Sequence, residues 1–297
     1  MIHLSSGRCD LEYSDKFKRM VVDFCRKRRS SYFKCRERWK YRSGGWSIYK
    51  DVEHVLNSVE GYDKEYVEPL MNFISKSDKK LLLDVGCGWG ALEVSLAMRN
   101  IEIVGVEIDK DAIKLAKALV HEHGVKEKVC FILADACRLP FRDKVFDGVV
   151  SIGVFEHIPK VEDAIKEGWR VLKNMGVLFL MTPNRLFPYD FHDTNLPFIH
   201  WLPHRIATSL AYALRRIDPS HMPQTSEGVF ELNRFLTRWE ILRILPKAEA
   251  EPICPNWKIM SKNEVGHSKW RSILRSSLEK SIIFSPTLNL VIRLVMH

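Results

Sequence analysis

Apolar and polar residues alternate along residues 80–182 in a way that predicts strands and helices in turn. Five short apolar runs predict strands at 81–85, 102–106, 129–133, 148–152 and 177–181. Helical spacing of apolar residues predicts helices after the first, second and fourth strands. Strand–helix units of this length imply an α/β fold, in which helices cover both faces of a mostly parallel sheet. Such sheets bind ligands beyond the carboxyl ends of their strands.

The segment before the first strand has a different pattern. Phe17, Met20, Val21 and Phe24 recur at helical spacing among many lysines and arginines, so residues 16–42 are predicted to form a basic amphipathic helix. A second helix is predicted over 63–75. We expect residues 1–60 to form a helical N-terminal extension that lies over the site of the following domain.

After the fifth strand the alternation of strand and helix stops. Residues 183–236 are rich in proline, histidine and aromatic residues, and we interpret them as an insertion. Thr237 then caps a helix that reaches Leu245, with Glu240 in the capping-box position, and a sixth strand is predicted near 249–254. The main domain is therefore expected to span 61–256, and residues 257–297 are expected to form an amphipathic, helical C-terminal extension.

Charge is concentrated at the N-terminus. Residues 1–50 carry 14 Lys/Arg and 5 Asp/Glu, a net of 14 − 5 = +9, and the whole chain also has a net charge of +9. A field of this kind attracts RNA or an anionic membrane surface, although a solvated basic helix without a partner has the same composition. The chain has no apolar run long enough to cross a bilayer. Its seven cysteines form no Cys-x-x-Cys pair and predict a reduced, cytoplasmic protein.

The first strand ends in a glycine-rich loop that opens a helix. Asp84 is followed by Gly86, Cys87, Gly88 and Gly90. Glycine lets the backbone turn sharply and approach a ligand, and the helix N-terminus adds unpaired N–H groups. Gly86, Gly88 and Ala91 also satisfy the dinucleotide fingerprint, so the loop by itself leaves an NAD enzyme open.

Acidic residues follow the next two strands. Glu107 ends the second strand, where a carboxylate can accept the hydroxyl protons of a ribose. NAD enzymes share this arrangement. Asp135 ends the third strand, and an acid at that position is not expected in an NAD enzyme.

Five linked segments resemble the class I S-adenosylmethionine-dependent methyltransferases of the type 11 group, which includes ubiquinone-type O-methyltransferases. They are the glycine loop, the two strand ends with their acids, Arg138–Phe141, and Phe146–Pro159 with its Glu156-His157 pair. The resemblance covers about residues 80–182 and implies a Rossmann-like fold that binds S-adenosylmethionine. The cofactor-binding residues that it implies are Asp84, Gly86, Cys87, Gly88, Gly90, Glu107, Ile108, Asp135, Ala136 and Ser151. Among them, Glu107 holds the ribose, Ile108 packs on the adenine, and Asp135 accepts from its amino group.

His157 is the candidate catalytic residue. Methyl transfer from a sulfonium needs alignment and the exclusion of water, and a hydroxyl acceptor also needs a group that takes its proton. A histidine beyond the fourth strand suits this role as general base or orienting residue, although the Glu-His pair can equally cap the following helix. His192, Asp193, His200 and His204 invite a metal interpretation, but Pro203 interrupts the spacing, and we predict no metal site.

The acceptor is expected to bind the insertion, whose aromatic residues suit an apolar wall. We therefore expect an O-methyltransferase that acts on a small or lipid- or glycan-linked acceptor, with peripheral contact to an anionic membrane as a second expectation. RNA bound by the basic N-terminus is the alternative substrate. A non-catalytic module that binds the cofactor is a third hypothesis, and the oligomeric state is left open.

Overall fold

The computed structural model describes residues 13–39, 48–72, 80–190, 192–214, 216, 231–245, 248–252 and 287–294. Its centre is a seven-stranded sheet. The strands are β1 (Leu81–Val85), β2 (Glu102–Glu107), β3 (Val129–Leu133), β4 (Phe146–Ile152), β5 (Leu172–Pro183), β6 (Ala248–Pro252) and β7 (Thr287–Leu294). The strand order is β3-β2-β1-β4-β5-β7-β6. The first five strands are parallel, whereas β7 runs antiparallel to both of its neighbours.

Helices cover both faces of this sheet and confirm the doubly wound α/β prediction. They are α1 (Asp15–Trp39), α2 (Ile48–Leu56), α3 (Ser58–Tyr62), α4 (Glu68–Met71), α5 (Ala91–Met98), α6 (Lys110–Glu122), α7 (Val161–Val171), α8 (His204–Ala213) and α9 (Arg238–Ile244). A π-helical turn at Asp63–Val67 joins α3 to α4. None of the described helices has both the length and the apolar composition that crossing a bilayer requires.

The sequence predicts the ends of β1, β2 and β3 to within one residue, because a strand that is buried in a parallel sheet consists of a short apolar run. Two strands are longer than predicted. Phe146 extends β4 at its start, where its ring is almost fully buried. The fifth strand begins at Leu172 rather than at residue 177, because it pairs with β4 from that point across a bulge.

The prediction of a helical C-terminal extension is wrong for residues 287–294. These residues form β7, which inserts between β5 and β6 and is therefore part of the main sheet. Leu290 and Ile292 are almost fully buried in the same core cluster as residues of β4 and β5. Residues 257–286 lie outside the described residues, as does the predicted break at Gly44-Gly45.

The N-terminal helices pack onto the domain. Apolar residues of α1, including Phe17, Val21 and Phe24, form one core cluster with Ala91 and Val94 of α5 and with residues of α6. The basic helix thus uses its apolar side to bind this helical layer. The second predicted helix, 63–75, is confirmed only in part, because helical structure begins earlier, at Ile48, and the described part ends at Met71.

The insertion contains a 3-10 turn at Ile199–Trp201 followed by α8. The capping box predicted at its end is present, since the Thr237 hydroxyl accepts from the Glu240 N–H at 3.1 Å and the Glu240 carboxylate accepts from the Thr237 N–H at 2.8 Å. The predicted sixth strand is β6. The insertion leaves β5 at its carboxyl end, so it lies at the edge of the sheet where parallel sheets bind ligands.

We predict that Ile292→Ala lowers the free energy of unfolding by about 2–5 kcal/mol, because it removes most of a fully buried side chain from the sheet core. Met175→Ala, which shortens an exposed side chain at the start of β5, should change it by less than about 0.5 kcal/mol. Urea unfolding of both variants measures the difference. If both substitutions have equally small effects on the free energy of unfolding, residues 287–294 do not contribute to the stability of the sheet.

Candidate functional site

The glycine loop between β1 and α5 has little room for side chains. Gly86 has a φ of +88°, and a Cβ added there would lie 2.4 Å from Cγ2 of Val154. Gly90 has a φ of +83°, and its Cβ would lie 2.9 Å from the Cβ of Ala116. Both positions therefore require glycine for conformation and for packing.

Gly88 differs from the other two glycines. Its φ is +52°, but a Cβ added there would meet no heavy atom of the described residues within 4 Å. The backbone at Gly88 therefore borders open space, which is what a bound ligand requires. Cys87 is buried beside it, and its side chain is directed toward Gly105 of β2, away from this space.

Glu107 fixes the loop to the end of β2. Its Oε2 accepts from the Gly88 N–H at 3.0 Å, and its Oε1 accepts from the N–H groups of Ile108 and Asp109 at 2.8 and 2.9 Å. A carboxylate that accepts three backbone N–H groups is held in one orientation. It therefore stands beside the open space at Gly88 in a fixed position.

The adjoining strand ends present both apolar and acidic groups. Ile108 is 72% exposed and Leu133, at the end of β3, is 55% exposed. The Glu107 carbonyl accepts from the Ala134 N–H at 3.1 Å, which holds the two strand ends together. Asp135 follows, exposed, and its Oδ1 accepts from the Cys137 N–H at 2.8 Å, so the turn that contains Ala136 is ordered.

These observations fit the cofactor that the resemblance implies. An exposed isoleucine between two strand-end acids offers a surface for the adenine face, while Glu107 and Asp135 offer acceptors to the ribose hydroxyls and the adenine amino group. On the other side of Glu107, the backbone at Gly88 leaves room for the cofactor to approach closely. The residues present are therefore suited to S-adenosylmethionine.

Asp84 and Ser151 lie behind this surface. Ser151 is fully buried, and its hydroxyl donates to the Val85 carbonyl at 3.0 Å, which joins β4 to β1. Asp84 is also buried, next to Glu93 of α5. Both side chains thus support the loop from behind.

Glu93 is a site residue that the sequence prediction omits. It is completely buried, and burial together with the nearby Asp84 carboxylate raises its pKa well above the usual range. Burial also raises the pKa of Asp84. Because two neighbouring buried carboxylates do not both ionise readily, the pair retains a proton near neutral pH. Its signal in the sequence is an acid within the otherwise apolar or small-residue run Ala91–Ala97.

The N-terminal helices reach the same loop from the other side. The Trp89 indole N–H donates to the Ser58 hydroxyl at 3.0 Å, and its ring meets His54 edge to face. Asp63 accepts from Arg99 and from the Ser95 hydroxyl of α5. The N-terminal segment thus contacts the glycine loop through α2 and α3.

His157 lies at the opposite side of the carboxyl edge, in a short 3-10 turn after β4. Its Nδ1 is 2.9 Å from Oδ1 of Asn233, and its ring centroid is 5.2 Å from that of His192. The preceding Glu156 is buried and accepts from the Thr182 hydroxyl at 3.1 Å. Burial raises the pKa of Glu156 to about 7.

The insertion organises the surroundings of His157. Asp190 accepts backbone N–H groups from His192, Asp193 and Thr194, which forms a tight turn. Burial opposes ionisation of Asp190, but hydrogen bonding and charge attraction from His200 lower its pKa to about 2. The turn directs His192 and Asp193 toward His157.

His192 and Asp193 extend the polar network. Burial lowers the pKa of His192, but its hydrogen bond to Asp193 and the charges of Asp193 and Glu156 outweigh this and raise it overall. Two groups of side chains have metal-ligand spacing: Glu156 with His157 and His192, and Asp190 with Asp193 and His200. Within these groups, hydrogen bonds join His192 to Asp193, and His157 to Asn233 outside them, so part of both groups belongs to a polar network around His157.

Comparison with known proteins agrees with this geometry. A family model described as a methyltransferase domain matches residues 83–180. A ubiquinone biosynthesis O-methyltransferase of Pelagibacter ubique is 33% identical over 44% of this chain and 55% of its own length. A norajmaline N-methyltransferase of Rauvolfia serpentina is 37% identical over 31% of this chain and 32% of its own length. The chain thus spans about a third to just over half the length of these relatives.

The fold has a counterpart among solved structures. A crystal structure of an S-adenosylmethionine-dependent methyltransferase from Mesorhizobium loti aligns with a TM-score of 0.50 at 14% identity. The alignment covers 79% of this chain and 98% of the other. At this identity the likeness concerns the fold, which extends beyond the part matched by the family model.

We predict that Glu93→Gln makes stability less sensitive to pH. Since the folded chain keeps a proton on the Asp84–Glu93 pair above pH 4.5, where an ordinary glutamate has lost it, wild-type stability falls as the pH rises. The slope is about 1.4 kcal/mol per pH unit for each proton retained. The variant should show a shallower fall between about pH 5 and pH 8 in urea unfolding.

Glu127→Gln, at an exposed position, is the matched control and should leave the slope as in the wild type. If Glu93→Gln also leaves the slope unchanged, the buried pair does not hold the proton.

Proposed function

We propose that this chain, whose residues 83–180 belong to the class I S-adenosylmethionine-dependent methyltransferases, methylates an oxygen of a small or lipid- or glycan-linked acceptor. When bound, S-adenosylmethionine supplies a methyl group already activated by its sulfonium. In the transfer, the carbon–sulfur bond breaks as a carbon–oxygen bond forms, and the acceptor hydroxyl loses its proton. The proposal therefore requires a base at the acceptor side of the site.

The single observation that carries this proposal is the hydrogen-bond chain behind His157. The Asn233 Nδ2 amide donates to Oδ1 of Asp193 at 2.6 Å, and the Asn233 N–H donates to Oδ2 of the same carboxylate at 2.8 Å. A carboxylate can only accept these bonds, so the amide nitrogen of Asn233 is assigned to Asp193 and its Oδ1 to His157.

This orientation determines the tautomer of His157. Because Oδ1 of Asn233 is an acceptor, the Nδ1 of His157 must carry the proton, and the basic lone pair is on Nε2. An imidazole held in one tautomer by a polar group behind it is suited to take a proton at the other nitrogen. We assign His157 as the general base that takes the acceptor's proton.

Asp193 acts through Asn233 and is a positioning residue. The carboxylate nearest to His157 itself is Glu156, whose Oε1 lies 4.0 Å from Nε2, and a carboxylate at this position stabilises the imidazolium that forms when His157 accepts a proton. A general base at this position favours an oxygen acceptor, because an amine with a free lone pair needs no base before attack.

The proposed location is cytoplasmic with peripheral membrane contact. Within the part of α1 whose side chains the structure describes, residues 15–27, the apolar side is buried against α5 and α6, so this part presents its charged side to a membrane or an RNA.

Incubation with methyl-labelled S-adenosylmethionine and separate lipid, small-molecule and RNA fractions of the source organism tests the substrate class. Label in a methyl ether of a lipid or small molecule supports the proposal. Label in RNA would contradict it and favour the alternative acceptor. Cofactor affinity without label in any fraction would indicate a non-catalytic module.

With an acceptor in hand, we predict that His157→Gln lowers kcat by about 10²- to 10⁴-fold while its affinity for S-adenosylmethionine stays within about 3-fold of wild type. Asp193→Asn should lower kcat less and shift the acidic limb of the pH–rate profile to lower pH, because the imidazolium loses the carboxylate charge that lies behind Asn233. Steady-state kinetics and isothermal titration measure these effects.

His121→Gln, on the exposed side of α6, is the control for replacing a histidine. Wild-type kcat in His157→Gln would remove the assignment of His157 as base. A pH–rate profile of Asp193→Asn that has the wild-type shape would reduce Asp193 to a structural residue.

A further inference from the structure

Five large apolar side chains of the insertion are exposed to solvent. They are Phe198, Trp201, Ile206, Leu210 and Leu214, with exposed fractions between 39% and 56%. Ile206, Leu210 and Leu214 recur every fourth residue, so they share one side of α8 and its C-terminal end. The Phe198 and Trp201 rings meet edge to face, with centroids 4.8 Å apart, immediately before that helix. We call these five residues the insertion face.

The insertion face is not a by-product of packing. The side of α8 that packs inward carries the small residues Ala207 and Ala211, which form a cluster with Ile199 and Leu232. A helix that served only to close the fold would bury its isoleucine and leucines and expose its alanines. In this helix the large residues are outside, an arrangement that marks an interaction surface.

We propose that the insertion face docks onto an anionic lipid surface, and that the acceptor is presented there. The charge of the segment favours this occupant. Residues 196–216 contain three arginines and no aspartate or glutamate, in a chain that has 37 acidic residues among 297. Arg205 and Arg216 are exposed at the two ends of α8. Glu231, from the neighbouring segment, lies 3.6 Å from His204.

Apolar residues flanked by arginines, together with a tryptophan, are the composition of helices that lie in the membrane interface. The apolar side chains enter the boundary between headgroups and acyl chains, tryptophan prefers the headgroup level, and arginines attract anionic headgroups.

The insertion face is also continuous with the catalytic side of the site. His200 lies between Phe198 and Trp201 in the chain, but its ring is turned inward and stacks on Phe235 with centroids 3.7 Å apart. Phe235 in turn meets the His192 ring edge to face at 5.8 Å, and His192 lies beside His157. The segment that carries the insertion face is thus linked to the proposed base through three successive ring contacts.

The docking deepens the proposed function by assigning a lipid-linked acceptor, but lipid binding itself does not depend on catalysis. It is tested with the full chain and vesicles of phosphatidylcholine, with and without phosphatidylglycerol, by co-sedimentation in the absence of S-adenosylmethionine. We predict binding to the anionic vesicles and a loss of at least about 10-fold in partitioning for the double variant Ile206→Glu/Leu210→Glu.

Met98→Glu/Met175→Glu is the matched control. It places the same charges on exposed apolar residues at the opposite edge of the sheet, and its partitioning should stay within about 2-fold of wild type. The milder variant Ile206→Ser/Leu210→Ser, with fold checked by circular dichroism and by cofactor titration, keeps the test valid if the charged variant is poorly folded.

Three results would overturn the docking proposal. In the first, the wild-type protein does not bind anionic vesicles. In the second, the insertion variants bind them as well as the wild type does. In the third, the wild-type protein self-associates and the variants are monomeric, which would mean that this face binds a second copy of the chain. Lipid binding that is lost in the variants, with no methyl label in any fraction, would uphold docking and contradict the proposed activity. Methyl label in a water-soluble product, without lipid binding, would uphold the proposed activity and contradict docking.

Discussion

The Glu107 carboxylate is the interaction on which the cofactor side of this structure depends. It accepts one N–H from the glycine loop and two from the residues that follow β2, so one side chain holds two separate pieces of backbone. Without that tie, the loop would have to satisfy its own N–H groups and the strand end would be free to turn away. The three hydrogen bonds hold the carboxylate in one orientation beside the open space at Gly88.

The remainder of the glycine loop is held by packing from several directions. Gly86 lies against Val154 of the β4 side, Gly90 lies against α6, and Trp89 is bonded to the N-terminal helices. Beneath it lie the buried Asp84 and Glu93 side chains, and burial raises the pKa of both carboxyls. The domain and its N-terminal helices thus support the glycine loop together, whereas the insertion supplies the groups around His157.

The sequence is sufficient to predict the strand ends and their acids because those signals are local: an apolar run, a glycine loop and a carboxylate follow one another within a few residues. The prediction fails at β7, although Leu288, Leu290, Ile292 and Leu294 recur at the period of two that a strand requires. No local pattern indicates that a strand so distant in sequence enters the sheet beside β5.

The network around His157 could not be predicted from local sequence patterns for the same reason. Asp193 and Asn233 are 40 residues apart in segments without regular structure, and only the fold brings them together. Glu93 is different, since an acid inside an apolar helix start already indicates a buried charge. His192 and His200 are visible in the sequence as candidate ligands, but their contacts with Asp193, Asp190 and Phe235 define their roles as parts of the acceptor side.

The central claim, that Glu107 both shapes the loop and binds the cofactor, is tested most directly by isothermal titration of S-adenosylmethionine into Glu107→Gln. Loss of a charged acceptor should weaken binding by about 10- to 100-fold. Glu102→Gln, at the exposed start of the same strand, should bind as wild type does. Wild-type affinity in Glu107→Gln would contradict the claim.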